Sequence, residues 1–426
     1  MEQFYHFLWK SGMLGRNLKE LSGADIDVID PGIHNMGAGP DFFNSKVKIG
    51  DTNWVGNVEI HVKASDWHRH GHDADDAYNN VILHVVGISD TRIKRPDGSL
   101  IPQIELKFPP QFFNTVAALS EKIDNVRCAP MLRQLSTLLI NDWIDSLMVE
   151  RIQAKGARVM QTLSITGNNW EQTCFIMTAR SLGFGLNSDP FEMLARSIPL
   201  QIISHHCDNP MQLQAIFFGQ AGMLDSSTHI FDEFYQLLCR EYYFLAKKYG
   251  LRPMNPSLWK YSRTRPQNFP HRRIAYLAKM CEGGFSLFKE ITQLCPDIEG
   301  LYGVLDKRLD GYWESHFAFD TPGSRLPLGL SDASMALMLI NAVVPLVYVY
   351  SIKTSNLRLE EKALDLLLKL PPENNMIIRQ WKSLGIPATN AGESQALLHL
   401  RKEYCDARKC FYCRFGIKLL STSSEI

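Results

Sequence analysis

In residues 56–72, GNVEIHVKASDWHRHGH, Glu59, His61 and Lys63 alternate with Val58, Ile60 and Val62, and His68, His70 and His72 follow at once. Side chains alternate across a strand, so the three polar groups share one face and the aliphatic ones pack on the other. Upstream, Asp41 in AGPDFFNSKV opens its own β-type run. If the two runs pair as a hairpin around IGDTNW, Asp41 reaches the Glu59–His61 end. Two carboxylates meeting there would bind Mg²⁺ or Mn²⁺, which favour oxygen ligands. Such an ion can hold a phosphate oxygen and lower the pKa of a bound water, with His61 or Lys63 managing water and charge. Seven of the 13 histidines fall within the first 84 residues, and His70 and His72 are further candidate ligands.

Two other constellations carry chemistry. EYCDARKCFYCRFG spaces Cys405, Cys410 and Cys413 as C-x4-C-x2-C. Such spacing suits Zn²⁺ or an iron–sulfur cluster, with Cys128 in NVRCAPML as the candidate fourth ligand; buried thiols are the competing reading. Cys174, Cys207, Cys239, Cys281 and Cys295 stand alone and read as packing residues. The segment 259–278, WKYSRTRPQNFPHRRIAYLA, carries Lys260, Arg263, Arg265, Arg272 and Arg273 among Trp259, Tyr261 and Phe269, with no acid. Guanidinium groups bind phosphates and aromatic rings stack on bases, so this is the candidate nucleic-acid surface; a domain-docking loop is the alternative.

The elements that must position these groups fall into two parts. QFYHFLWKSGML reads as a short amphipathic helix through Phe4, Leu8, Met13 and Leu14. DIDVID, FFNSKVKIG, NWVGNVEIHVKAS, NNVILHVVGIS and LIPQIELKF read as strands, with a hairpin at RPDGS. VILHVV is apolar except for His84, the signature of a strand buried on both faces. After about residue 127 the period becomes helical, beginning with LSTLLINDWIDSLMVERIQAK, where Ser136 or Thr137 can cap. The expected organisation is α+β: a mixed-sheet α/β domain over 1–126, then a mostly α-helical domain over 127–426 ending in the cysteines.

Lys plus Arg and Asp plus Glu are 45 each in 426 residues, which argues against a nucleic-acid coat protein but not against an enzyme with a local basic groove. No signal peptide is visible, and the apolar run 333–350 contains Pro345, so a bent buried helix is expected rather than a membrane span. A cytoplasmic location follows.

GPDF followed by a strand with EIHVK resembles the PD-(D/E)XK nuclease superfamily, in which an Asp and a (D/E)-x-K strand form the metal site. The likeness covers about residues 1 to 110. It implies Asp41 and Glu59 as metal ligands, His61 in place of the lysine and Lys63 as an auxiliary cation. As a whole the chain is similar to an uncharacterised bacterial family, through NMGAGPDF, the segment 56–86, RPQNFPHRRIAYLA and the cysteine-bearing end. The expected function is metal-dependent phosphodiester hydrolysis, with DNA the favoured partner. The alternative is a catalytically degenerate protein that binds nucleic acid or a protein partner through its helical part.

Overall fold

Strand runs rich in Val and Ile, punctuated by Gly and Asp turns, assemble into one seven-stranded mixed sheet. Its strands are β1 (Leu18–Lys19), β2 (Asp25–Asp30), β3 (Ile33–His34), β4 (Phe42–Ile49), β5 (Thr52–Lys63), β6 (Val81–Ile88) and β7 (Gln103–Glu105). The order is β1-β2-β4-β5-β6-β7, with β3 pairing to β4. The β2–β4–β5 meander is antiparallel, and β6 and β7 continue it in parallel. VILHVV is buried throughout, as a strand covered on both faces requires. At RPDGS, Arg95 and Ser99 close the expected hairpin.

This computed structural model describes every residue except 1, 13, 15–17, 36, 108–109, 121–125, 226–231, 263, 266–267, 295–296, 325 and 425–426. Met13, Arg263 and Cys295 therefore lie outside the described residues.

Helix α1 (Glu2–Ser11) turns Phe4 and Leu8 inward, both 1% exposed. Tyr5 of the same helix packs against Gly87 of β6, where a Cβ would sit 2.3 Å from the Tyr5 hydroxyl. A Gly87→Ala chain should lose about 1–3 kcal/mol by overpacking, read from a urea midpoint.

The compact units do not divide at 126/127. The first comprises residues 1–140 together with 401–426, and the second comprises 141–400. The chain end rejoins the first unit because Phe411 packs its ring on Phe4 and Phe7, and the helix Arg414–Ser424 packs on the helix Pro110–Ser120.

The second unit is helical. Asn169, Asn209, Asn356, Asn375 and Asn390 cap its helices by accepting from a backbone N–H in the first turn. Its apolar run forms a 22-residue helical stretch, Asp332–Lys353, whose most apolar window is 78% buried inside the protein. A π turn at Leu339–Val343 precedes Pro345 inside this stretch, and Lys155 Nζ donates to the Ile340 carbonyl in that turn at 3.2 Å.

His271 in this unit is ringed by Phe218, Tyr261 and Phe319, and its Nδ1 is buried without a hydrogen-bond partner. Burial pushes its pKa down to about 4. The unfolded chain therefore takes the proton first, near pH 6.5, so this contribution is full above that pH and is lost as pH falls from 6.5 towards 4. Unfolding free energy should drop by about 3 kcal/mol more over that window than in a His271→Leu chain, by chemical denaturation at each pH.

Candidate metal centre

Two bulges shape the strand pair that carries the site. Pairing of β4 with β5 shifts register between Phe42 and Ser45, where Asn44 adopts a left-handed φ of 55°. Pairing of β5 with β6 shifts between Asn57 and Val58. Bulges re-aim side chains, and beyond these two the strands deliver Asp41 and Glu59 to the same place. The Asp41 N–H donates to Glu59 Oε2 at 3.1 Å, and Asp41 Oδ2 accepts from the Ile60 N–H at 2.9 Å.

The polar face of β5 is not solvated. Glu59 is 4% exposed and His61 0%. Helix α2 (Asp66–Arg69) and the turns after it, up to Tyr78, bring in Trp67, His70, His72 and Tyr78. The Trp67 ring meets His61, His72 and His84 edge-on, and Tyr78 stacks on His72 at 3.8 Å between centroids.

Four donors converge. His61 Nε2 lies 3.2 Å from His70 Nδ1 and 3.5 Å from Glu59 Oε1, which is 3.2 Å from His72 Nε2. The donor nitrogens of His61, His70 and His72 all lie within 4.8 Å of one another. A tetrahedral ion about 2.0–2.1 Å from each donor would place donors about 3.3 Å apart, close to the 3.2 Å between His61 Nε2 and His70 Nδ1 and between Glu59 Oε1 and His72 Nε2.

An outer chain fixes the tautomer. Gln103 Nε2 donates to the Thr91 carbonyl at 3.0 Å, which turns Gln103 Oε1 towards His84 Nδ1 at 3.3 Å. His84 therefore carries its proton on Nδ1 and accepts at Nε2 from His61 Nδ1–H, 2.9 Å away. That leaves the His61 Nε2 lone pair facing the cluster, the arrangement by which outer partners orient a metal-bound imidazole. His70, exposed on its other side, can carry its proton on Nδ1 towards His61 or release that nitrogen by shifting the proton to Nε2.

Burial favours the neutral forms of His61, His84 and Glu59. Burial pushes His61 down to about 2, and His84, His72 and His70 lower it further. Burial likewise pushes His84 down to about 4. Glu59 is pushed up to about 7, first by burial; His72 opposes this and Asp41 adds to it. A His84→Ala chain should hold a divalent ion about 10–100-fold more weakly, measured by calorimetry, while His68→Ala should not. His68 is outside the cluster, exposed and paired with Asp73 at 2.6 Å.

Asp41 and Glu59 thus come together with His61, His70 and His72, whereas Lys63 does not. The Lys63 side chain is exposed at the strand end near Asp90, so it is not a cation of the cluster. His6 and Gln103 join the site without any motif to signal them. The His6 Nε2 lies 3.2 Å from Asp41 Oδ2.

The other two sets fare differently. Cys128, Cys405, Cys410 and Cys413 line one small cavity in the first unit. In the basic segment, Arg272 is buried at 2% exposure and donates to the carbonyls of Trp313, His316 and Pro327. It is a structural cation, not a strand contact. Arg273 is 7% exposed, bonded to Asn268 and stacked over Phe184. Lys260 and Arg265 are exposed, while Trp259 is buried with its indole N–H on Ala221 O.

Fold and site together define an α+β protein with a buried carboxylate–imidazole cluster on its mixed sheet. The chain belongs to the family described as "Protein of unknown function (DUF2851)", which matches residues 2–376. No curated protein and no solved structure matches it.

Proposed function

We propose that this protein is a metal-dependent hydrolase of phosphodiester bonds acting on DNA in the cytoplasm. The gathering of the donor nitrogens of His61, His70 and His72 within 4.8 Å of one another, with Glu59 Oε1 against His61 and His72 and Asp41 beside it, carries this reading. Three imidazoles and one carboxylate suit Mn²⁺ or Zn²⁺ better than Mg²⁺, which prefers oxygen donors. An ion held there would polarise a phosphate oxygen and lower the pKa of a bound water.

The chain's own groups supply the rest. Glu59 gives the anionic donor, and the Gln103–His84 chain keeps the His61 lone pair directed inward. Asp41, at a strand entry beside a Glu-x-His strand, would serve as the family acid under the PD-(D/E)XK likeness. Asp41 also orients His6, the group placed to accept or deliver a proton. In the second unit, the exposed Arg265 and Arg308 line an open cleft of about 720 Å³, which supports binding of a polyanion.

One observation favours a second reading, a binding protein without catalysis. The position of the superfamily lysine holds a buried neutral imidazole, and Lys63 does not replace it. A cleavage assay decides between the two. Metal-stripped protein is incubated with single- and double-stranded DNA and Mn²⁺, Zn²⁺ or Mg²⁺ in turn. Cleavage restored by Mn²⁺ or Zn²⁺ and absent in Glu59→Gln is expected; metal-independent binding without cleavage under every condition would establish the second reading.

A further inference from the structure

We propose that Cys128, Cys405, Cys410 and Cys413 together hold a [4Fe–4S] cluster in the first unit. Nothing in the hydrolase reading requires these residues, and three of them lie beyond the family match at residues 2–376.

The chain brings them together from far apart. Cys128 precedes the 3₁₀ turn Ala129–Gln134. Cys405 is the penultimate residue of a π-helical stretch, Leu400–Asp406. Cys410 opens the 3₁₀ turn Cys410–Tyr412, and Cys413 caps it. The approach is built in. A Cβ on Gly416 would sit 2.0 Å from the Cys410 carbonyl oxygen, so only glycine lets the last helix begin against the cysteine turn. The ring of Phe411, between two of the ligands, is anchored on Phe4 and Phe7.

The spread of the thiols discriminates between centres. The four cysteines line one small cavity with Leu119, Arg127, Tyr404 and Gly416. A single zinc ion at about 2.3 Å would hold its four sulfurs about 3.8 Å apart. Among the described residues the donors that gather in threes within 4.8 Å of one another are those of His61, His70 and His72, so no three of these sulfurs stand that close. A cubane, with each iron taking one thiolate, spans the wider set.

Charge points the same way. Arg127, 8% exposed, donates to Cys405 O at 3.0 Å and approaches Cys410 Sγ at 3.9 Å. A buried guanidinium beside a sulfur is stabilised when that sulfur is a thiolate. Assembly from two ferric ions, two ferrous ions and four sulfides gives a core of net charge +2, forms four Fe–S(Cys) bonds and releases four thiol protons.

The test is anaerobic reconstitution of the full chain with ferric and ferrous iron in equal amounts and sulfide. Expected are about four irons and about four acid-labile sulfides per chain, and a broad visible band that bleaches on reduction with dithionite. Cys410→Ser should lower bound iron at least twofold, while Cys239→Ser, at an isolated thiol, should leave it unchanged. Wild-type stoichiometry and the spectrum of the reduced protein decide the matter even if a variant fails to fold. About one zinc per chain with no iron, no metal after reconstitution, or iron undiminished in all four Cys→Ser chains would overturn the proposal.

Discussion

Glu59→Gln should abolish metal-dependent cleavage, by about 10³-fold or more, beyond the 10–100-fold typical of losing an outer partner. The amide keeps the volume and the hydrogen bond from the Asp41 N–H but removes the one anionic donor facing the imidazoles. The same substitution should stabilise the metal-free chain at high pH. The Glu59 pKa is raised in the folded state to about 7, from an ordinary value of 4.5. A raised carboxyl favours the folded state fully below the unfolded pKa, and that contribution is lost as pH rises from 4.5 to 7. At pH 8 the metal-free Glu59→Gln chain should therefore gain up to about 3 kcal/mol over its parent relative to their difference at pH 4, read by urea unfolding at both pH values. Equal cleavage by both chains would remove Glu59 from the mechanism.

Arg272→Ala carries the second large effect, and it falls on stability. Its guanidinium ties three backbone carbonyls, of Trp313, His316 and Pro327, that would otherwise be left unsatisfied. Removing a buried hydrogen-bonded cation costs about 3–5 kcal/mol. Thermal unfolding should show that loss, whereas Lys260→Ala, at an exposed site, should fall within about 0.5 kcal/mol of wild type and weaken DNA binding instead. An Arg272→Ala chain of unchanged stability that lost only DNA binding would restore the surface reading of this residue.

The strands were legible because their signals are local. Alternation, β-branched composition and Gly/Asp turns gave DIDVID, FFNSKVKI, the 52–63 strand and VILHVV nearly to their observed ends. Local signals also brought Asp41 towards Glu59, since a hairpin fixes that pairing. Burial of Glu59 and His61 was not legible, because alternation cannot say what covers a polar face; here Trp67, His72 and Tyr78 do. Nor was the Gln103–His84–His61 chain, which depends on parallel pairing between strands distant in sequence. A basic run in sequence says nothing of direction, and Arg272 turned inward because a helix face presents it to orphan carbonyls.

Anomalous diffraction from crystals grown with Mn²⁺ or Zn²⁺ tests the central claim most directly. The account predicts one strong peak about 2.0–2.3 Å from Glu59 Oε1 and from nitrogens of His61, His70 and His72. A fully occupied ion elsewhere, with these four side chains still bonded only to one another, would contradict it.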